Sequence, residues 1–400
     1  MAKHWFTLYP DTFLWLKGNK GFAYQAKNKK KFEFSITNKI ENICCRLLIP
    51  ENLYTVELAN EELNNEEINS WTNSLISMQA GYISLNVEFA ERPVSLKPIL
   101  KVQDKKERYE WQHNEGTGGE ILDNVHELTF YINGSEHGSD EFYKQNIFPL
   151  KNCQTLDKSK IQFFIRNSLN QTLSNINFVG NVFMYPDFEM LIQEIEKYHP
   201  LRSVHVMGQD FIDNIHQMNK HEWINRVQMN ILIDSAVDLS SIKQVFDFPV
   251  SITVFVFSEK DFELLENISD YQNVRLIPLY NKENISFFEA NVFMDKYEIN
   301  TIDVSKNEIF MHQAFNTCNF GRLTVLADGS VYANVNAPVL GNINNSPYSL
   351  VYKEFTEGRS WFNIRDKAPC TDCLYQWICP SPSNYEIVIG KPNLCNIYHE

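Results

Sequence analysis

The residues best suited to do chemistry lie close to the C-terminus. Cys370-Thr371-Asp372-Cys373 is followed by Leu374-Tyr375-Gln376-Trp377-Ile378, then Cys379, with Cys395 beyond. The spacing is CxxC-x5-C-x15-C, and it gathers four of the chain's eight cysteines. A CxxC pair sets two thiolates on one turn, close enough to grip one metal centre. Cys379 and Cys395 complete a four-thiolate set. Thiolates are soft donors that select zinc or an iron–sulfur cluster. A pair of disulfides, or unrelated buried thiols, is the alternative.

The chain has 400 residues, 44% of them hydrophobic, enough for two to three domains with buried cores. Aromatic residues make up 13%, which favours folded sheet over disorder. A formal net charge of −14 makes nucleic acid and anionic membranes poor partners. There is no long apolar run and no signal peptide, so the clustered cysteines predict a reducing, cytoplasmic setting.

Three regions are expected: an α+β domain over 1–90, a βα-repeating domain over 91–310 and a cysteine-bearing domain over 311–400. From Trp5 to Ile36 the alternation predicts a three-stranded meander, with a hairpin turn at Gly18-Asn19-Lys20-Gly21. Helices are expected from Asn38 through Leu48 and from Glu61 to Met78, with an extended Tyr54–Leu58 between them. Cys44 and Cys45 read as ordinary buried or half-buried thiols on the first helix.

In the middle, strands are expected at Leu128–Ile132, Asn175–Phe183, Ser203–Met207, Val227–Ile233, Val250–Phe257 and Val274–Tyr280. Helices are expected at Ser159–Leu173 and Phe188–Tyr198. That rhythm indicates βα units and a parallel sheet. Toward the end, Ala327-Asp328-Gly329-Ser330 predicts a hairpin between Leu323–Leu326 and Val331–Asn334.

The tail spacing resembles the SPASM domain, the auxiliary-cluster domain of radical-SAM peptide maturases. That resemblance implies a [4Fe-4S] cluster on Cys370, Cys373, Cys379 and Cys395, with zinc as the alternative metal. The family's second cluster would draw on Cys318, on the position of Asn334 after Gly329, and on the position of Ser383. Two of those three are not cysteine, and amide and hydroxyl oxygens are poor substitutes for sulfur at iron. One cluster is expected.

The middle resembles the open (β/α)6 partial TIM barrel of radical-SAM enzymes, with that family's signatures lost. The family places CxxxCxxC after the first strand. Here Leu128–Ile132 runs into Asn133–Phe142, and Ser135, Ser139 and Phe142 stand at that spacing. Cys153 is solitary and reads as a structural thiol. The family's Gly-Gly-Glu-Pro turn corresponds to Val179-Gly180-Asn181-Val182 before Tyr185-Pro186-Asp187-Phe188. Asn181 cannot neutralise an ammonium as a carboxylate does. No S-adenosylmethionine is expected.

The first ninety residues resemble, by layout, a winged-helix leader-peptide recognition domain that takes its peptide as an added strand. Together these features resemble pseudo-radical-SAM/SPASM proteins of bacterial peptide-maturation systems of the Gly-Gly-leader type. Further residues carry that likeness: Lys3–Asp11, Tyr131–Ser135 and Tyr375–Glu386. The resemblance implies a non-catalytic subunit that binds a precursor peptide, a sister radical-SAM maturase, or both. The alternative is an iron–sulfur electron carrier, or a peptide-modifying enzyme that does not use S-adenosylmethionine. No phosphate-cradling GxxxxGK[ST], H-E-x-x-H or G-x-S-x-G is present. His126 and His137, with Glu136 and Asp140, read as a solvated polar loop, and His205 as a hydrogen-bonded core histidine.

Overall fold

The computed structural model describes residues 4–85, 92–100, 105–116, 118–151, 153–216, 221–234, 250–262, 274–358 and 360–397. The chain forms two compact units. The first combines 1–103 with 295–314 and 364–381; the second combines 104–294 with 315–363 and 382–400. Among the described residues no helix is long and apolar enough to cross a membrane.

In the first unit, β1 (His4–Leu8) leaves the expected meander. It lies between β5 (Thr55–Leu58) and β6 (Gly81–Leu85), antiparallel to both. The meander itself is β2 (Thr12–Lys17), β3 (Lys20–Gln25) and β4 (Lys30–Ser35). Tyr9-Pro10-Asp11 ends β1 and turns the chain out of its sheet, which local alternation does not reveal.

The helix Asn38–Leu48 forms as expected, capped by the Thr37 side chain and burying Ile40, Ile43, Cys44 and Leu47 at helical spacing. Cys44 is buried, whereas Cys45 faces solvent. The helix expected over Glu61–Met78 is broken into Asn60–Leu63 and Glu66–Ser77. The break is chemical: the Asn65 side chain accepts from the Ile68 amide at 3.3 Å and starts a new helix.

The second unit carries a nine-stranded sheet. Its parallel strands are β7 (Glu127–Tyr131), β8 (Asn175–Val179), β9 (Leu201–Met207), β10 (Gln228–Ile233), β11 (Val250–Val256) and β12 (Val274–Pro278). They lie side by side in chain order, all parallel. On the other flank of β7, β13 (Arg322–Val325) pairs in parallel and continues antiparallel into β14 (Ser330–Tyr332) and β15 (Gly341–Asn342). The expected Asp-Gly hairpin is therefore present between β13 and β14.

Helices Lys158–Ser168 and Phe188–Ile195 follow β7 and β8. Phe188, Leu191, Ile192 and Ile195 form the buried stripe of the second. Leu128, Phe130, Ile176 and Phe178 belong to the same core as these helices, with Phe130 edge-on to Phe164 and Phe178 edge-on to Phe188. The alternate residues of the same strands begin polar: Thr129, Asn177 and Ser203 are all buried, and Asn177 donates to Thr129 at 3.2 Å. A buried parallel sheet is ordinarily apolar on both faces. Here the face is polar only where the strands begin, and it turns apolar at Tyr131, Val179 and Met207.

Candidate functional site

Three of the four tail cysteines lie in the first unit and Cys395 lies in the second. None of the eight cysteines is in a disulfide. Cys370, Cys373 and Cys379 are each less than 10% exposed.

The segment that carries them is fixed by few, specific contacts. Cys370–Asp372 forms one 3-10 turn, and the Cys373 amide donates to the Cys370 carbonyl at 3.1 Å. The Cys379 amide closes a second turn on the Tyr375 carbonyl. Arg365 clamps the loop: its Nε donates to the Pro380 carbonyl at 2.6 Å, and its own carbonyl accepts from Gln376 at 2.6 Å.

The same guanidinium reaches the Cys370 sulfur at 3.8 Å, and the Tyr375 amide reaches the Cys373 sulfur at 3.4 Å. N–H donors aimed at cysteine sulfur favour the thiolate and tune the potential of a cluster it holds. Two sulfurs on one turn, both receiving N–H donors, have the donor chemistry of a thiolate-held centre. Among the described residues, no three His, Cys, Asp or Glu side chains gather as they would around a single metal ion.

The meander meets this segment inside the first unit. Lys17 donates to the Thr371 carbonyl at 2.5 Å, the Tyr375 hydroxyl bonds the Glu33 carboxylate, and Lys296 pairs with Glu33 at 3.0 Å. Burial first, then the Glu33 carboxylate, holds the Tyr375 phenol well above its ordinary range. His312 is held to the Trp377 carbonyl at 3.1 Å. Sequence reading of the tail alone found none of these partners.

In the second unit Cys395 takes a contact from Asn393 Nδ2 at 2.7 Å and forms an isolated bridge with Met294. Cys318, Asn334 and Ser383 are also in this unit, where side-chain amides link their segments. Asn334 donates to Asn384 at 2.7 Å and accepts from the Asn336 amide at 2.8 Å. Asn316 accepts from the Cys318 amide and donates to the Pro382 carbonyl. Ser383 opens the helix Asn384–Ile389 in a capping box with Glu386.

The loop after β7 holds Ser135, Ser139 and Phe142. Ser135 accepts from the His137 amide, Ser139 accepts from the amides of Glu141 and Phe142, and Phe142 packs on Phe148 and Phe257. Cys153 is half-buried, and burial pushes its thiol up to about 11. Each of these side chains has a local structural partner.

After β8, Gly180 has φ +135, and a Cβ there would stand 2.4 Å from the Asn133 side-chain oxygen and 2.5 Å from the Asn133 carbonyl. Asn133 also donates to the Asn181 carbonyl at 2.8 Å. Val179 is buried in the strand's end beside Tyr131 and Leu150. The ends of β7 and β8 are thus locked together, and Gly180 has a packing reason to be glycine.

Two expectations are corrected here. His126 does not flank the loop with His137. It precedes β7 and packs against Phe320 at the strand's other end, while His137 follows it. His205 is half-buried in β9, but its buried Nε2 has no hydrogen-bond partner among the described residues, and burial lowers its pKa to about 4. Asp210, on the helix after β9, is 5% exposed; burial raises its pKa against a hydrogen bond from Ser135.

No protein-family model and no curated protein matches the chain. Among solved structures, the fold is similar to SuiB of Streptococcus suis at TM-score 0.44 and 14% identity, over 98% of this chain and 100% of that one. SuiB bound to its precursor peptide SuiA gives 0.43 and 13%, over 98% of each chain. The anSMEcpe structure with bound AdoMet gives 0.41 and 14%, over 68% of this chain and 100% of that one. Likenesses this distant transfer no residue roles.

Proposed function

We propose that this chain is a non-catalytic radical-SAM-like subunit of a ribosomal-peptide maturation system, working in the cytoplasm. Its partners are a precursor peptide, a sister radical-SAM maturase, or both. Its proposed organisation is a winged-helix-like domain over 1–90, a degenerate partial barrel over 91–310 and a SPASM-like domain over 311–400. The proposed metal ligands are Cys370, Cys373, Cys379 and Cys395, a set that rests on their spacing in sequence. They suit one [4Fe-4S] cluster, with zinc as the alternative. Such a centre would supply structure to a loop-rich segment.

One observation carries the reading. Six parallel strands lie in chain order, and residues 133–142, where the chain leaves the first of them, contain no cysteine; Cys153, further along before the next helix, stands alone. Its three positions of CxxxCxxC spacing are two serines tied to local amides and a packed phenylalanine. Residues 133–142 therefore offer no sulfur to a cluster for S-adenosylmethionine, and the single thiol of Cys153 cannot hold one alone.

The test is anaerobic reconstitution with iron and sulfide, then incubation with S-adenosylmethionine and dithionite. About four irons per chain and no 5′-deoxyadenosine are expected. Stoichiometric deoxyadenosine ends the proposal. Co-purification with the products of neighbouring genes then identifies the partner.

A further inference from the structure

Over one face of the paired strands β7 and β13 the second unit holds a cleft of about 190 Å³. Pockets for drug-sized ligands run to about 300–1,000 Å³. This one has room for about six waters at their liquid volume, which is the scale of one small metabolite and too small for a nucleotide.

Its charged groups are balanced and underused. Glu127 and Arg322 are cross-strand neighbours in register. Their nearest nitrogen and oxygen stand 3.8 Å apart, too far for a hydrogen bond. Among the described residues neither charged head makes a hydrogen bond. Both therefore keep capacity for a third party. The remaining wall is mostly amide and hydroxyl, including Thr129, Tyr143, Asn319 and Asn334. Thr129 accepts from Asn177 and keeps its own proton to donate.

We propose that this cleft binds a free α-amino acid with an uncharged polar side chain, its carboxylate on Arg322 and its ammonium on Glu127. An α-amino acid carries its two opposite charges on adjacent groups, which matches two opposite charges on adjacent strands. A phosphate ester would be repelled by Glu127 and a polyamine by Arg322. The wall amides of Asn319 and Asn334 already have partners within the protein, so discrimination rests on the Thr129 and Tyr143 hydroxyls, which an apolar side chain would cover without offering a partner. The site does not depend on the tail cysteines or on any peptide partner.

The test uses the full chain and needs no variant to be decisive. Calorimetry or ligand-observed NMR compares L-glutamine with its N-acetyl and its C-amide derivatives, and with L-leucine. L-Glutamine is expected to bind, and either block is expected to weaken it about tenfold or more, the scale of a lost charge-assisted hydrogen bond. Arg322→Gln is expected to remove the penalty for amidation, and Glu127→Gln the penalty for acetylation. No saturable binding of glutamine, asparagine, serine or threonine at millimolar concentration overturns the proposal. Equal binding of free and blocked glutamine also overturns it.

Discussion

Tyr375 stands edge-on to Phe22, with ring centroids 5.3 Å apart at 69°. One residue lies between the second and third tail cysteines; the other is in the central strand of the N-terminal meander. The contact makes the cysteine segment part of the meander's own core. Phe22 is fully buried, so Phe22→Ala is expected to destabilise the first unit by about 3–5 kcal/mol. Tyr375→Phe removes the bond to Glu33 and is expected to cost about 1–3 kcal/mol. The two rings touch, so the double variant should fall short of additivity. Urea midpoints give the energies. Alkylation of Cys373 should speed up in parallel, and unchanged labelling in a destabilised Phe22→Ala protein would refute the coupling.

Asn334 occupies a position where the SPASM pattern has a cysteine, and it acts as a connector. Its amide ties two neighbouring segments through Asn384 and the Asn336 backbone. Asn334→Ala leaves a part-buried acceptor and a part-buried backbone donor unpaired, so a loss of about 1 kcal/mol is expected. Asn334→Asp keeps the acceptor for Asn336 but turns a donor toward Asn384 into a second acceptor, and should be no better than alanine. Thermal unfolding of both variants checks this; a stable Asn334→Asp would show that Asn384 simply flips its amide.

The strands of the second unit were legible because each is a short segment rich in β-branched and aromatic residues, as Val250–Val256 shows; the strand expected over Asn175–Phe183 stops at Val179, and Val182–Met184 forms a 3-10 turn instead. The helix at Asn38–Leu48 was legible from its buried stripe. What the sequence did not disclose is long-range. The apolar alternation of β1 fits a meander as well as it fits pairing with β5 and β6. The choice is made by residues some fifty and eighty positions away, such as Val56 and Ile83 opposite Phe6. The meander's claim on Tyr375 through Phe22 and Glu33 has no local signal at either end. The split of Glu61–Met78 did have one: Asn64-Asn65 is an N-cap sequence inside an otherwise helical pattern. The cleft over β7 and β13 was out of reach, because Glu127 and Arg322 become neighbours only when the hairpin docks beside the first parallel strand.

Gly180 supports a sharper expectation. Its φ of +135 is strained for any L side chain, and a methyl group there meets the Asn133 carbonyl, which is backbone and cannot swing away. Gly180→Ala should cost at least about 2 kcal/mol from conformation and overpacking together. Asn133→Ala removes only one of the two close oxygens, so it should rescue little. Full rescue in the double variant would show that the side-chain oxygen alone imposes the glycine.

Glu354 is 1% exposed on the helix Pro347–Thr356, and its Oε1 accepts from the Trp361 amide at 2.8 Å. Burial pushes its carboxyl from 4.5 up to about 7, although the amides of Trp361 and Ser360 pull it down. The folded state thus holds this proton more tightly than the unfolded chain does. The stabilisation is complete below the unfolded value near 4.5 and is lost as pH rises through about 7. At about 1.36 kcal/mol per unit the loss approaches about 3 kcal/mol. Glu354→Gln retains a carbonyl oxygen for Trp361 and has no proton to lose. Urea unfolding of both proteins between pH 5 and pH 8 should therefore show wild type falling relative to the variant. A difference that stays constant across that range would mean that Glu354 is already ionised in the fold, held by its two amides against the cost of burial.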